Sequence, residues 1–141
     1  MKIKLLSPTA KVPTKSNPGD AGFDLYSPVE IIINPGEQKI IKLDIAITEF
    51  PPGTYGRIAP RSGLASQGVH VLGGVVDSTY QGNIGVILFV ATNGRTLFID
   101  PGSRIAQIIF ERYEENVTFE VVDDFVQETE RGTDGFGSTG I

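Results

Sequence analysis

The sequence contains no cysteine and a single histidine. Without cysteine the chain can form no disulfide, no thiolate metal site and no cysteine nucleophile. One histidine also argues against a histidine-rich zinc site. No apolar run approaches the roughly 18 residues of a membrane span, and the start lacks the apolar stretch of a secretory signal. We therefore expect a protein of the cytoplasm or nucleus with no membrane partner.

Basic residues are also scarce. Lys and Arg number 12 against 17 Asp and Glu, so the formal net charge is −5. Nucleic-acid binding depends on neutralising phosphates with Lys and Arg, so we expect no nucleic-acid partner. If the protein holds phosphates, it must use a few local cations, backbone N–H groups and a metal ion. The 141 residues fit one domain with a single core.

The sequence is dense in strand patterns. Apolar and polar residues alternate over residues 41–48, which is the period of a half-buried strand. Gly85–Val90 is a continuous apolar run that favours a strand buried on both faces, although periodicity alone leaves this open. Asn93-Gly94 predicts a hairpin between this run and residues 96–99. Further strands are predicted at residues 2–6, 30–33, 56–59, 97–99, 105–111 and 117–122, with one short helix near 64–67.

Four Pro-Gly pairs punctuate the chain, each where a strand-like run begins or ends. Many short strands at near-regular spacing indicate an all-β sandwich, jelly roll or small barrel. From Gln127 onward the composition becomes polar and rich in glycine. We therefore predict a β core domain over residues 1–126 and a flexible C-terminal segment over residues 127–141.

The terminal segment has the composition of an anion-binding loop. Its glycines, Gly137 among them, let backbone N–H groups approach an anion closely. Ser138 and Thr139 add hydroxyl donors, and Arg131 adds a planar cation suited to phosphate oxygens. Phe136 is an apolar ring between two glycines. The alternative interpretation is an ordinary disordered terminus.

Residues 60–64, Pro-Arg-Ser-Gly-Leu, follow a predicted strand and can open a short helix. Backbone N–H groups at a helix start bind phosphate well. Arg61 and Ser62 add side-chain donors beside Gly63. The alternative is a helix cap with an exposed arginine.

Residues 73–82 combine a glycine pair, a carboxylate and an aromatic ring. This spacing suits a hairpin that wraps a small ligand, with backbone groups reading a flat heterocycle. Asp77 could then hold a hydroxyl group or a water molecule. The alternative is a turn-stabilising Asp77 followed by a half-buried Tyr80.

Two polar side chains interrupt apolar strand patterns. Asp24 lies within residues 21–27, where an acid is either functional or solvent-facing on a strand. Gln107 lies in a strand that looks buried, where a glutamine usually satisfies a backbone group.

In this order the motifs resemble the five motifs of the dUTPase family. The resemblance runs from about residue 20 to residue 140. Its five parts are the Asp24 segment, Arg61-Ser62-Gly63, the Asp77 to Tyr80 hairpin, the Arg104 to Gln107 strand and the glycine-rich tail. Three positions depart mildly from the pattern. They are Phe23, Thr79 and Gln81, where relatives often have Tyr, an acid and Arg.

The resemblance implies a magnesium-dependent hydrolase that cuts dUTP to dUMP and pyrophosphate through attack of water on the α-phosphorus. Such an enzyme keeps dUTP low and supplies dUMP for thymidylate synthesis. The resemblance further implies a homotrimer of jelly-roll-like subunits, with active sites at the subunit interfaces and the tail as a lid. The compact spacing of the motifs is like that of many eukaryotic and viral members.

The resemblance also implies a role for each motif residue. Asp77 is the general base, Gln107 holds the water or the α-phosphate, and Asp24 contacts a water of Mg²⁺, for which no direct protein ligand is expected. The phosphate-binding residues are Arg61, Ser62, Gly63, Arg131, Gly137, Ser138 and Thr139. Backbone groups near Gly74, Val75 and Gly85 read uracil, Tyr80 excludes the ribose 2′-hydroxyl, and Phe136 stacks on the base.

Two other functions stay open at this point. A dCTP deaminase shares the fold, although the Phe136 tail and the spacing from Asp77 to Tyr80 favour the hydrolase. A protein that senses dUTP and binds a partner, without catalysis, is the second alternative.

Overall fold

The computed structural model describes residues 1–124, 129 and 132. Within that part the chain forms eleven strands and one short helix, which confirms the all-β prediction. In chain order the elements are β1 (Lys2–Leu5), β2 (Phe23–Tyr26), β3 (Ile31–Ile33), β4 (Gln38–Lys42), β5 (Ile45–Glu49), β6 (Thr54–Ala59), α1 (Ser62–Ala65), β7 (Val69–Leu72), β8 (Val75–Val76), β9 (Gly85–Val90), β10 (Leu97–Ile99) and β11 (Arg104–Arg112).

The strand pairs of the described chain are antiparallel and form four sheets. The largest has the strand order β2-β11-β6-β8, and a three-stranded sheet has the order β4-β9-β7. The two remaining sheets pair β1 with β5 and β10 with β3. β11 lies inside the largest sheet, so Gln107 is flanked by Asp24 of β2 and Ala59 of β6. This register brings three separate sequence motifs to one place.

One buried apolar cluster draws side chains from all four sheets. Leu25, Ile33, Ile45 and Leu88, one from each sheet, are at most 1% exposed. Burying a side chain of this kind contributes about 1.5–3 kcal/mol. The shared core therefore holds the four sheets together as one body.

The apolar run over residues 85–90 left open whether strand β9 is buried on both faces. Val86, Leu88 and Val90 are fully buried, whereas Ile87 and Phe89 are half-buried. The strand is therefore completely buried on only one face within the described chain. Its other face belongs to the more open side of the three-stranded sheet.

The single strand predicted over residues 41–48 is wrong, because the chain forms two strands there. β4 ends at Lys42 and β5 begins at Ile45. Between them Asp44 adopts a left-handed backbone with φ 56°, which breaks the strand. Asp tolerates this conformation better than most residues because its short polar side chain can hydrogen-bond locally.

The hairpin predicted at Asn93-Gly94 is also wrong. The turn forms, with the Gly94 N–H donating to the Ala91 carbonyl at 2.8 Å. However, β10 pairs with β3 and not with β9. Both edges of β9 are already occupied by β4 and β7, so β9 has no free edge for β10.

Residues 117–122 form no strand, contrary to the prediction. Val117 is 57% exposed, and Phe119 and Val121 are each 95% exposed. The apolar alternation is real, but no strand of the described chain pairs with this segment, so it lacks the ladder of hydrogen bonds that makes a strand.

The helix starts two residues earlier than predicted, since α1 spans Ser62–Ala65. Among the described residues, no helix has the length and apolarity that crossing a membrane requires.

Candidate active site

A polar cavity of about 580 Å³ lies where β2, β11 and the start of α1 meet. Its walls include five of the predicted site residues, which are Asp24, Arg61, Ser62, Gly63 and Gln107. These residues are up to 83 positions apart in the chain, and the strand register brings them together.

Asp24 is the electrostatic centre of this cavity. Its side chain is only 10% exposed, and its two carboxylate oxygens face different arginines. Arg61 Nε lies 3.0 Å from Oδ1, and Arg104 Nη1 lies 3.3 Å from Oδ2. Ser16 Oγ donates a further hydrogen bond to Oδ2 at 3.2 Å. A carboxylate this deeply buried needs such partners, so the solvent-facing alternative for Asp24 is wrong.

Arg104 and Ser16 were not among the predicted site residues. Arg104 Nη1 also donates to Ser16 Oγ at 3.2 Å, so the two residues act on Asp24 together. Arg104 carried a signal in the sequence, because it opens the same strand as Gln107. Ser16 carried none, since its position depends on the loop that leads into β2.

Arg61 lies at the N-cap of α1 but forms no side-chain cap hydrogen bond there. Its guanidinium instead faces the cavity, where Nη1 donates to the Arg104 carbonyl at 3.2 Å. Ser62 and Gly63 form the first turn of the helix, where backbone N–H groups lack intrahelical acceptors. A methyl group built on Gly63 would meet open space. This end of the cavity therefore offers a cation and accessible N–H donors.

Gln107 does satisfy a backbone group, as its alternative interpretation required. Its Nε2 donates to the Pro60 carbonyl at 2.9 Å. Its amide oxygen lies against Gly22, where any Cβ would overlap it. Gly22 therefore leaves room for the amide in its present position, and the Pro60 bond fixes which end of the amide is the acceptor.

Asp77 and Tyr80 lie elsewhere. β7 and β9 pair as an antiparallel hairpin, and the residues between them include β8 and a turn. In that turn the Tyr80 N–H donates to the Asp77 carbonyl at 3.0 Å. The Asp77 side chain is exposed, and within the described chain it has no hydrogen-bond partner. Asp77 therefore stabilises the turn through its backbone carbonyl, and its carboxylate takes no part in the turn.

Asp77 borders a second cavity of about 380 Å³, which shares no residue with the first. The two cavities belong to opposite edges of the largest sheet, since Asp24 is in β2 and Asp77 follows β8. Asp24 and Asp77 are separated by three strand spacings across the sheet and by about four residues along the strands. The distance between them is therefore roughly 15–20 Å. One chain therefore does not bring all its predicted site residues together.

The backbone near the Asp77 hairpin is tightly fitted. Gly74 has φ 109°, and a Cβ there would come within 2.7 Å of the Ile58 carbonyl oxygen. The Ile58 N–H donates to the Gly74 carbonyl at 2.7 Å. Val75 is 69% exposed beside it, and Gly85 opens β9 on the other arm of the hairpin.

A hydrogen-bonded triad supports the wall of the second cavity. Glu111 accepts hydrogen bonds from the Tyr55 hydroxyl and from Arg57 Nε, each at 2.7 Å. The Tyr55 hydroxyl and Arg57 lower the pKa of Glu111. The same contact with Glu111 raises the pKa of Tyr55. Tyr55 itself lines the cavity beside Asp77.

Five predicted residues lie outside the described part of the chain. They are Arg131, Phe136, Gly137, Ser138 and Thr139. Among the described residues, no group of three or more His, Cys, Asp or Glu side chains is placed to hold a metal ion.

A family model described as dUTPase matches residues 9–140. The chain belongs to the dUTPase family. It is 49% identical over 135 residues to the deoxyuridine 5'-triphosphate nucleotidohydrolase of cowpox virus, covering 94% of this chain and 87% of that protein. It is 48% identical to the variola virus enzyme with the same coverage. This dUTPase is accordingly an enzyme of the hydrolase class.

Solved phage structures agree with the architecture. A mutant dUTPase of Staphylococcus bacteriophage 80alpha with dUpNHpp superposes with a TM-score of 0.89 at 28% identity, covering 99% of this chain and 98% of that one. A mutant dUTPase from phage phi11 of S. aureus, described with a structural Mg(II) ion, gives 0.78 at 26% identity, covering 89% and 98%. The strands and the short helix of residues 1–124 are consistent with the jelly-roll-like fold of the family.

Proposed function

We propose that this dUTPase hydrolyses dUTP to dUMP and pyrophosphate by attack of water on the α-phosphorus. The observation that supports this most directly is the cavity that gathers Asp24, Arg61, Ser62, Gly63 and Gln107. In an acidic protein, this cavity offers Arg61 and helix N–H groups at one point, and Arg104 contacts the Asp24 carboxylate beside it. That combination suits a polyphosphate better than any uncharged ligand.

Arg61, Ser62 and Gly63 bind phosphate oxygens in this proposal. The Arg61 side chain forms an ion pair with Asp24 through Nε, and its Nη1 donates a hydrogen bond to the Arg104 carbonyl at 3.2 Å. The remaining guanidinium N–H groups can therefore meet the substrate while Asp24 keeps the side chain in place. Ser62 and Gly63 contribute the N–H donors of the first helical turn.

The residues present fit a magnesium ion carried by the triphosphate. Both Asp24 oxygens are engaged by arginines, so the carboxylate is suited to contact a metal-bound water and not the metal itself. Mg²⁺ retains waters readily and needs few protein ligands. When bound, it would neutralise the negative charge of the phosphates.

Asp77 is the general base. In the reaction the water oxygen bonds to the α-phosphorus, and the bond from that phosphorus to the bridging oxygen of the leaving pyrophosphate breaks. The water proton passes to the Asp77 carboxylate. Gln107 orients the water through its amide oxygen, which accepts from the water, or the α-phosphate through the Nε2–H that the Pro60 carbonyl does not use. A positioned base contributes roughly 10²- to 10⁴-fold.

Specificity for uracil and deoxyribose lies in the hairpin. Backbone groups at Gly74, Val75 and Gly85 match the donor and acceptor pattern of uracil, and cytosine would leave a buried group unpaired. The extra methyl of thymine would overlap the close-packed backbone near Gly74. The ring of Tyr80 excludes a ribose 2′-hydroxyl.

The active site is completed by other copies of the chain, in a homotrimer with sites at its interfaces. Asp77 and the Asp24 cavity lie at opposite edges of one sheet, roughly 15–20 Å apart. A general base must lie within about 3 Å of the proton that it abstracts. Residues 127–141 act as a lid, with Arg131, Gly137, Ser138 and Thr139 on the β and γ phosphates and Phe136 on uracil.

A nucleotide panel tests the reaction. Pyrophosphate release should be fast with dUTP and at least about a hundredfold slower with dCTP, dTTP and UTP. Chelating Mg²⁺ with EDTA should suppress it, and excess Mg²⁺ should restore it. Release of ammonia from dCTP would instead support the deaminase, and tight dUTP binding without turnover would support the sensing protein.

Mixed trimers test the shared site. Asp77→Asn and Arg61→Ala variants should each be inactive alone. Co-expressed, they form trimers in which some sites combine an intact Asp77 with an intact Arg61, and activity should return. If each chain carried a complete site, the mixture would stay as inactive as its components.

We further propose that the enzyme is virus-encoded and acts in the cytoplasm or nucleus, where it keeps dUTP low and supplies dUMP for thymidylate synthesis. The relatives reported above are poxvirus and phage proteins, which supports a viral origin.

A further inference from the structure

The ring of Tyr80 is held by backbone and not by a packed core. Tyr80 is 43% exposed. Its hydroxyl donates to the Asn83 carbonyl at 3.2 Å. The ring lies directly over Gly82, where any Cβ would overlap the hydroxyl and the ring carbons. The position of the ring therefore depends on the two residues that form the floor beneath it.

Asn83 is in turn fixed to a distant part of the chain. Its Oδ1 accepts a hydrogen bond from the Asp44 N–H at 3.0 Å, and its Nδ2 donates to Asp44 Oδ1 at 2.9 Å. The next residue, Ile84, accepts from the Leu43 N–H at 2.9 Å and donates to the Ile45 carbonyl at 2.8 Å. Four hydrogen bonds thus attach residues 83–84 to residues 43–45.

The left-handed backbone at Asp44 makes this attachment possible. With φ 56°, Asp44 turns its N–H toward Asn83 while its neighbours Leu43 and Ile45 both face Ile84. The Asp44 carbonyl accepts from the Leu6 N–H at 2.8 Å, which ties the kink to the end of β1. The break between β4 and β5 therefore serves as an anchor for the hairpin.

We propose that Asn83, anchored by Asp44, and Gly82 are positioning residues that hold the Tyr80 ring against the sugar and so set the preference for deoxyribose over ribose. This inference rests on the proposed role of Tyr80 as the sugar gate. Their role does not require contact with the nucleotide. They act by limiting how far the ring can move away from a 2′-hydroxyl.

Gly82→Ala is the most direct test. The backbone at Gly82 does not require glycine, because its φ lies outside the left-handed region, and the added methyl meets only the Tyr80 side chain among its nearest neighbours. The fold should survive while the ring is displaced. The ratio of kcat/KM for UTP to that for dUTP should rise about three- to tenfold, the equivalent of one lost hydrogen bond.

A charge swap tests the anchor. Asn83→Asp places two carboxylates face to face, so the ring should loosen and the same ratio should rise about three- to tenfold. Adding Asp44→Asn restores an amide opposite a carboxylate, and the double variant should regain the preference of the unmodified enzyme. Asn34→Asp is the matched control, because Asn34 also donates to a carboxylate, that of Glu37, at 3.2 Å. It should leave the ratio unchanged.

Tyr80→Ala separates the two possible failures. If it raises UTP hydrolysis but Gly82→Ala and Asn83→Asp leave the ratio within twofold, the gate is real and the anchoring role is wrong. If Tyr80→Ala itself leaves the ratio unchanged, Tyr80 does not exclude ribose. The positioning role of Asn83 and Gly82 is then wrong as well. Rescue by the double variant, measured on the ratio and not on melting temperature alone, distinguishes positioning from general stability.

Discussion

Asp24 and Asp77 flank the same four-stranded sheet, yet their surroundings are opposite. Asp24 is 10% exposed and is held by two arginines and a serine. Asp77 is exposed, and within the described chain its carboxylate has no hydrogen-bond partner. A carboxylate held in ion pairs with two arginines suits a fixed role in binding. A carboxylate without a hydrogen-bond partner in the described chain is available to accept a proton. For the proposed reaction, the contrast teaches that one chain would supply a preformed pocket for the phosphates and a base to which the substrate must be brought.

Asp77→Asn should cause the largest effect. Because the amide cannot accept the water proton, kcat for dUTP should fall about 10²- to 10⁴-fold. Binding of dUTP, measured by calorimetry, should persist. Asp100→Asn is a matched control, since Asp100 also lies in a turn and accepts from an N–H three residues later. A near-normal kcat for Asp77→Asn would remove it as the base.

Asp24→Asn should cause an intermediate effect. Two arginines would lose their shared counter-ion, and the contact to a metal-bound water would weaken. Hydrogen bonds to charged groups are worth about 1.5–3 kcal/mol, so kcat/KM should fall about 10- to 100-fold and the Mg²⁺ concentration for half-maximal activity should rise. Asp20→Asn, in the same cavity wall, should change kcat/KM less than about threefold. Equal effects from both variants would contradict the special position of Asp24.

Glu111→Gln should cause the smallest effect, on stability and not on chemistry. The pKa of Glu111 is lowered by the Tyr55 hydroxyl and by Arg57, so its contribution is present at neutral pH and is lost as pH falls through the lowered value. The unmodified enzyme should therefore lose melting temperature below about pH 4 more steeply than Glu111→Gln. Parallel melting curves in acid would show that the triad adds nothing. The Glu111 side chain is 34% exposed, so solvent screens its interactions and the difference should be small.

The fold class and most of the Asp24 pocket were predictable because each rests on local patterns. Asp24, Arg61 and Gln107 stand in short motifs whose order resembles the family. Their arginine partner Arg104 depends on how β11 pairs with β2, where the register shifts between Arg104 and Ala106. A shift of that kind is set by packing and leaves no mark on the hydrophobic period.

The errors have a common physical origin. Asn93-Gly94 encodes a turn, but whether a turn joins paired strands depends on which strand edges are free. Residues 41–48 encode an alternating strand, but Asp44 is stabilised in a left-handed conformation by Asn83, 39 residues away. Neither outcome can be deduced from neighbours in the sequence, because in both cases a distant partner decides.

The separation between Asp44 and Asn83 also has a consequence for accuracy under heat. A contact between residues 39 positions apart forms only after both segments are in place. Turns held by a few hydrogen bonds open before the core does. On warming, the turn that carries both Asp77 and Tyr80 would then loosen before the core, so the preference for deoxyribose and the turnover of dUTP would weaken together. The enzyme's preference for deoxyribose over ribose would be lost at a lower temperature than its folded structure.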